Sequence, residues 1–330
     1  MYLEDFARRK GPISLGFWGL AIELHVRSRL KVSILKTLNE KTGGGRVPNR
    51  LTGTPNLNPP HRSVLLLIAS ALTIFLVPTL HAQDQTPPLA GVAHVAIRVK
   101  DLAASRAFYE KLGFQQAFDL ERDGVPYESF IKVNDRQFIE LYPVNEKNSN
   151  PGFLHVCFEG ADLNAIHDDY VSHGLTPIAV RKAGAGNLLF TLRGPEDQNI
   201  EYTEYQPGSL HSNDQGKHLG PDRVAESILS VTLAMHNPAE ARDFYFNQLQ
   251  FKPIAGDPMH LHMPGDSGQE IEIVPWDKLG TRAQLTLRAA SLSRAARLLH
   301  KQGIHFTKSS ANTLTLTDPD GNVLVLRDGW

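Results

Sequence analysis

One segment, Gly91–Phe114, constrains the fold of this chain most, because its pattern recurs three more times. It reads GVAHVAIRVKDLAASRAFYEKLGF. The alternation of apolar residues over Val92–Val99 predicts a half-buried strand. Asp101 stands where a helix N-cap belongs, apolar residues follow at helical spacing, and Gly113 is placed to end the helix. The segment therefore predicts a strand followed by a helix.

Three more strands complete this first unit, predicted over 114–121, 126–133 and 136–142. The second unit starts at Phe153, with a helix over about 162–173 and strands over 176–181, 187–193 and 198–205. Units three and four restart at Ser227 and Ala283, where FYFNQLQF matches FYEKLGF and DPDGNVLVL matches GPEDQNIEY. Self-similarity of this kind predicts an α+β protein of four repeated units.

Composition narrows the class of protein. The chain is 41% hydrophobic and 21% charged, which is ordinary for a globular protein. A net charge of -1 gives no electrostatic reason to expect nucleic acid or an anionic membrane as a partner. Cys157 is the one cysteine, so no internal disulfide forms.

The N-terminal part predicts an export signal. Residues 1–60 are expected to be disordered or to precede the true start codon, which we place near residue 57. In residues 61–82, Arg62 precedes an apolar run from Val64 to Val77, and cleavage is predicted after Ala82. A membrane anchor is the alternative, but the run is shorter than the roughly 20 residues of a span. The mature protein is thus expected to be periplasmic or secreted, without a stable membrane span.

Four residues at matching positions of the first two units carry the candidate chemistry. His94 and Glu140 are 46 residues apart, and so are His155 and Glu201. In each unit the histidine lies on the first strand and the glutamate on the last. Two imidazoles and two carboxylates suit a divalent transition metal (Fe, Ni, Zn, Mn or Co), and two histidines with one carboxylate suit non-haem iron. The sequence therefore predicts a metal site.

The second half lacks this set. Its predicted counterparts of the four residues are Ser230, Glu272, Gln284 and Leu324, which do not form a transition-metal site. We therefore predict a domain with the metal site over 91–205, a polar linker over 206–223 and a degenerate second domain over 224–330.

The pattern resembles the vicinal oxygen chelate superfamily, which includes glyoxalase I, fosfomycin- and bleomycin-resistance proteins and extradiol dioxygenases. The resemblance is carried by HVAIRVKDLAASRAFYEKLGF, FIELYP, FLHVCFEG, GPEDQNIEYTE and DPDGNVLVL. It implies βαβββ units paired into open, cup-shaped mixed sheets, with two such domains here. It also implies ligation by His94, Glu140, His155 and Glu201, with Glu201 or Glu140 as proton shuttle.

The expected function is that of an exported metal-dependent enzyme with glyoxalase-like lyase or isomerase chemistry on a small substrate that chelates the metal through neighbouring oxygens. Glu140 favours this branch, because its equivalent in the dioxygenases is not a ligand. One alternative is ring-opening oxygenation by Fe(II) on His94, His155 and Glu201. Another is a binding protein of the resistance type without turnover. The protein is expected to be a monomer or homodimer.

Further residues receive secondary interpretations. Tyr142 and Cys157 lie two residues beyond Glu140 and His155 on the same strand faces, so both are expected near the cup. Tyr142 is a candidate hydrogen-bond donor to substrate, whereas Cys157 has no support as a nucleophile. Arg98 faces the same way as His94 and is a candidate for binding an anionic substrate.

Four histidines outside this set are not assigned to the site, and His260 and His262 are interpreted as plain strand residues. His260 and His262 alternate in MHLHMP, but no carboxylate partner is evident from the sequence. His211 and His218 fall in the predicted linker and are expected to be solvated.

Overall fold

The structure is a computed structural model that describes residues 87–329. The predictions for residues 1–60 and 61–82 lie outside this part of the chain.

Sixteen strands form two sheets in the described residues. The strands of the first sheet are β1 Leu89–Val99, β2 Gln115–Arg122, β3 Val125–Asn134, β4 Gln137–Pro143, β5 Gly152–Gly160, β6 Arg181–Lys182, β7 Leu188–Arg193 and β8 Asn199–Glu204. Those of the second are β9 Ser227–Met235, β10 Lys252–Ile254, β11 Asp257–His262, β12 Glu270–Pro275, β13 Gln284–Ala289, β14 Thr307–Ser310, β15 Thr313–Thr317 and β16 Val323–Asp328.

Both sheets have the same topology. The strand orders are β2-β3-β4-β1-β5-β8-β7-β6 and β10-β11-β12-β9-β13-β16-β15-β14, so each strand of the first sheet has a counterpart at the same place in the second. The first sheet curls into half a barrel. This confirms the predicted α+β fold of four βαβββ units in two cup-shaped domains. Strand β6, predicted over 176–181, is limited to two residues.

The helices begin where their capping residues predict. They are α1 Leu102–Lys111, α2 Leu163–Ser172, α3 Leu210–Asn213, α4 Pro238–Asn247, α5 Trp276–Leu279 and α6 Leu292–Lys301, with one 3-10 turn at Pro195–Asp197. The carboxylates of Asp101 and Asp162 accept hydrogen bonds from the third backbone N–H groups after them. Gly113 follows α1 with φ 85°, which favours glycine. Over residues 87–329, no helix combines the length and the apolar character needed to cross a membrane.

Strand register decides which side chains share the concave face. β1 pairs in parallel with β4 and antiparallel with β5, and β5 pairs in parallel with β8. Val95 and Ile139 are buried on the helix-covered face, and alternation turns His94 and Glu140 to the other face. The central strands of both units thus bring their polar residues to one concave surface.

Two glutamines at equivalent positions join the domains. The side chain of Gln137 accepts from the backbone N–H of Ile228 at 2.8 Å, and that of Gln269 accepts from Val92 N–H at 2.6 Å. Both amide groups also donate to the carbonyl of Ile228. The bonds from Gln137 to Ile228 and from Val92 to Gln269 are buried and span 91 and 177 residues of sequence, so they fix one domain against the other.

The register corrects one predicted equivalence. Cys157 pairs with Glu201 in the first sheet, and the corresponding pair in the second is Thr286 with Val325. The counterpart of Glu201 is therefore Val325, and the prediction of Leu324 was wrong by one residue. A one-residue shift moves a side chain to the opposite face, and Leu324 is fully buried in the core.

The segment 206–223, predicted as a polar linker, contains the short helix α3 and packs against the first sheet. Ser209 caps α3 by accepting from Ser212 N–H, and Lys132 Nζ binds the carbonyl and carboxylate of Asp214 at 2.6 and 2.7 Å at its other end. His211 is consequently buried, so its predicted solvation was wrong. His218 is exposed, as predicted.

Candidate metal centre

The four predicted ligands lie together on the concave face of the first sheet. His94, Glu140 and His155 are 5%, 3% and 7% exposed, so each is held in a fixed position by its strand neighbours. Glu201 is half-buried beside them. Burying two imidazoles and two carboxylates in one place is costly unless they are paired or hold an ion.

Three donor atoms form a compact triangle. The Nε2 atoms of His94 and His155 are 3.2 Å apart, and Glu201 Oε2 lies 3.8 Å from the first and 3.4 Å from the second. Atoms at these separations can all lie about 2.1 Å from one point, which is the distance of nitrogen and oxygen ligands from a divalent transition metal. The residues present therefore fit such an ion.

Glu140 contacts both histidines. Its Oε1 is 3.0 Å from His94 Nδ1, and its Oε2 is 3.8 Å from His155 Nε2. The second oxygen is placed as a fourth ligand, while the first orients the His94 ring as outer-shell carboxylates do. Whether three or four of these residues bind the ion, coordination positions remain for a substrate.

The ionisable side chains of the cluster shift one another's pKa values. Burial lowers the pKa of His94, but Cys157 and Glu140 beside it outweigh burial and raise that pKa well above its usual value. Burial lowers the pKa of His155 and keeps it neutral. Burial raises the pKa of Glu201, but the two histidines outweigh it and lower that pKa to about 2. The metal-free site therefore holds one imidazolium between two carboxylates.

A third carboxyl group, Glu128, lies next to Glu140. Burial, followed by the charge of Glu140, raises the pKa of Glu128 to about 8, so this group is protonated at neutral pH. Tyr142 donates a hydrogen bond to Glu140 Oε2 at 3.3 Å, and burial and Glu140 raise its pKa well above the usual value. Tyr142 is thus a neutral donor at the site, in the place that the sequence predicted.

One cavity of about 620 Å³, including its open mouth, gives access to the cluster. His94, Glu140, Tyr142 and Glu201 line it. Its other walls come from β2, β3, β6 with the loop 183–187, β7, β8 and helix α3. The segment after the second unit therefore forms part of the wall of the first domain's cup.

Two candidates from the sequence do not line this cavity. Arg98 lies on the predicted strand face, but its guanidinium contacts the carbonyl of Asn150 at 3.4 Å. Cys157 is fully buried, and burial raises the pKa of its thiol to about 11, which makes it an unreactive thiol at neutral pH.

The sequence alone did not identify four residues of the cavity wall: Glu128, Arg181, Asn187 and His211. Glu128 had a detectable signal, since it shares a strand face with Phe130 and Glu140 lies on the neighbouring strand. The spacing Ser209-x-x-Ser212 was a signal for a capped turn in the segment read as linker. Arg181 carried no such signal, because its contact with the cavity depends on where the two-residue strand β6 pairs with β7.

The second concave face has different chemistry. Thr232 Oγ1 donates to Glu272 Oε2 at 2.8 Å and accepts from Gln284 at 2.9 Å. His260 and His262 each lie within 3.4 Å of Glu270, so the carboxylate partner that the sequence did not reveal does exist. These contacts form neutral or paired networks, without the triangle of donor atoms found in the first domain.

Comparisons with known proteins agree with this architecture. The Mn(II)-bound glyoxalase from Novosphingobium aromaticivorans is 17% identical, with a TM-score of 0.54, over 73% of this chain and 82% of that one. An extradiol ring-cleaving dioxygenase from B. fuscum is 14% identical, with a TM-score of 0.55, over 75% and 74% of the two chains. The 2,3-dioxygenase LapB from Pseudomonas sp. KL28 is 15% identical, with a TM-score of 0.55, over 74% and 93%.

At these identities the structural likeness establishes the fold. The sequence has no match among curated proteins. A family description does match: residues 91–202 fit the Glyoxalase/Bleomycin resistance protein/Dioxygenase superfamily. That range holds all four clustered residues. The sequence match over residues 91–202 and the strand topology of the same range thus agree in likening this part of the chain to the Glyoxalase/Bleomycin resistance protein/Dioxygenase superfamily.

Proposed function

We propose that this chain is a metal-dependent enzyme whose first domain binds a divalent ion through His94, His155, Glu201 and Glu140. The observation that carries the proposal is the triangle of His94 Nε2, His155 Nε2 and Glu201 Oε2, with sides of 3.2–3.8 Å, beside a cavity. The substrate is a small molecule with two neighbouring oxygens. The bound ion would supply Lewis acidity to those oxygens.

Side chains of the protein itself would then accept and return a proton of the substrate. Glu140 is a carboxylate, because His94 outweighs burial and lowers its pKa. It is placed to accept a proton from a carbon next to the polarised oxygen and to return it to the neighbouring carbon. Tyr142, hydrogen-bonded to Glu140, orients this carboxylate. This is glyoxalase-like lyase or isomerase chemistry, and it is the function we favour.

A second candidate is ring-opening oxygenation of a catechol-like substrate with Fe(II). The observation that favours it is the contact of 3.0 Å between Glu140 Oε1 and His94 Nδ1. In that arrangement Glu140 orients a ligand, and His94, His155 and Glu201 form a facial set of two histidines and one carboxylate.

Glu140→Gln distinguishes the two reactions. If Glu140 moves the proton, the variant loses about 10²–10⁴-fold in turnover of a hemithioacetal of methylglyoxal. If Glu140 only orients His94, oxygen uptake with catechol on the Fe(II)-loaded protein persists in the variant. Both assays are run on protein loaded separately with Fe, Ni, Zn, Mn and Co.

Glu272→Gln is the matched control, because Glu272 occupies the position of Glu140 in the second sheet. It is expected to leave both activities unchanged. Stoichiometric metal binding without turnover in either assay would contradict both reactions and would indicate a binding protein.

We also propose that the protein is exported, on the basis of the signal-peptide pattern in residues 61–82. Expression of the full chain with a C-terminal tag is expected to yield a periplasmic or secreted protein that starts at Gln83. Recovery of the tagged chain only in the cytoplasmic fraction, with residues 61–82 still present, would contradict this.

A further inference from the structure

His211, from helix α3, is a buried histidine with no role in the centre described above. It is 4% exposed and lies among the rings of Phe118, Phe130, Phe138 and Tyr205, at centroid distances of 4.7–5.1 Å. It lines the same cavity as His94, Glu140 and Glu201. An imidazole in such an apolar setting retains two polar atoms that need partners.

Hydrogen bonds fix which ring nitrogen carries the proton. The backbone N–H of Gln206 donates to Asn187 Oδ1 at 3.1 Å, which leaves the Asn187 amide nitrogen on the other side. That nitrogen lies 2.8 Å from His211 Nδ1. Because Asn187 Nδ2 can only donate, Nδ1 must be the acceptor. In a neutral ring the proton is then on Nε2.

His211 is neutral at physiological pH, because burial lowers its pKa to about 4. Its Nε2 is buried and has no hydrogen-bond partner in the described residues. The structure therefore holds a donor of fixed orientation, unsatisfied, in the wall of a cavity. Leaving a buried donor without an acceptor costs free energy. The cavity therefore favours a ligand that places an acceptor at this N–H over one that does not.

We propose that His211 is a substrate-binding residue whose Nε2–H donates a hydrogen bond to an oxygen of the ligand in this cavity. The inference rests on the proposed function only in taking the cavity as the substrate site. It adds a second recognition group, on a segment outside the two sheets, to the ligands on the strands.

The chemistry of the cavity indicates the class of oxygen. Arg181 also lines the cavity, and it lies near enough to Glu201 for its charge to contribute to the lowered pKa of that carboxyl. A bound divalent ion would balance the two carboxylates Glu140 and Glu201, so Arg181 leaves a net positive charge. A neutral N–H donor and this net positive charge together favour a ligand with an anionic oxygen, such as a carboxylate or phenolate.

The test uses 4-nitrocatechol, a coloured molecule with two neighbouring oxygens, titrated into wild type, His211→Phe and His211→Gln with and without Zn²⁺. Phenylalanine keeps the ring packing and removes the donor, so His211→Phe is expected to bind the probe about tenfold more weakly. His211→Gln restores an N–H donor and is expected to recover part of the affinity. His305→Phe, which changes an exposed histidine of the second domain, is expected to match wild type.

Nitrogen NMR of the His211 ring gives a readout that does not depend on folding of the variants. We expect the Nε2–H tautomer in the free protein and a shift of the Nε2 resonance when the probe binds. Equal probe affinity in wild type and His211→Phe, or an unmoved Nε2 resonance, would overturn the inference and leave the N–H directed at a phenylalanine ring. Zinc content is expected to be the same in all variants, so loss of zinc from wild type would refute the proposed metal centre separately.

Discussion

Replacing both His94 and His155 by alanine is expected to abolish binding of a divalent ion to the first domain. Changes in residues that only orient a metal ligand cost about 10–100-fold in affinity, so removal of two ligands is expected to lower affinity by at least about 10³-fold. Metal content after purification without chelator, together with calorimetric titration of Zn²⁺, measures the effect.

His260→Ala/His262→Ala is the matched control. It also removes two histidines, from β11 of the second domain, where both contact Glu270. This variant is expected to keep wild-type metal content. If it loses the ion and His94→Ala/His155→Ala retains it, the candidate metal centre is assigned to the wrong domain.

The affinity for the metal ion in these titrations is expected to depend on pH. His94 in the metal-free site is protonated at neutral pH, because Cys157 and Glu140 outweigh burial and raise its pKa. An ion must displace this proton, so its affinity is expected to rise about tenfold per pH unit across the neutral range and to level off above the pKa of His94. His155 is already neutral and releases no proton. Affinity that does not change between pH 6 and 8 would contradict this protonation state.

Lys132→Met is expected to lower the free energy of unfolding more than any other single substitution considered for this protein. Lys132 is fully buried, and its Nζ binds Asp214 Oδ2 at 2.7 Å and Asp135 Oδ1 at 2.8 Å. Asp214 is itself buried. Removing one partner of a buried ion pair leaves an uncompensated charge and costs about 3–5 kcal/mol. Chemical denaturation by urea measures this loss as a lower midpoint.

Two companion variants test the cause. Lys217→Met removes an exposed lysine of the same segment and is expected to change the free energy of unfolding by less than about 0.5 kcal/mol. Lys132→Met/Asp214→Leu removes both buried charges and is expected to recover much of the loss. If the single and double variants are equally unstable, the loss comes from packing and not from the charge of Asp214.

Lys132 also shows how the segment after β8 is held against the first cup. Its counterpart by register is His262, since Lys132 pairs with Phe138 and His262 with Glu270 at the same place in each sheet. Lys132 holds the end of α3 over the first cup. His262 is about half exposed and contacts Glu270 on the neighbouring strand. We therefore attribute the position of α3 at the cavity of the first domain to this buried ion pair.

The amino-acid sequence by itself determined what depends on local patterns. Strand alternation, the capping residues Asp101 and Asp162, and the repeated 46-residue spacing are properties of short segments or of segments compared with each other. They were enough to predict the four units. They also placed His94, Glu140, His155 and Glu201 on strands that lie side by side, because equivalent positions in repeated units occupy equivalent places in space.

Only the tertiary structure decided what depends on contacts between distant segments. The run Val323–Leu326 is apolar at every position, so alternation gave no information about its face, and hydrogen-bond register alone identified Val325 as the counterpart of Glu201. His211 looks polar and exposed in the sequence, yet it is buried because Lys132, 82 residues from Asp214, fixes the segment after β8 against the sheet. The tautomer of His211, and with it the donor that we assign to the substrate, depends on a further pair of contacts that no sequence pattern contains.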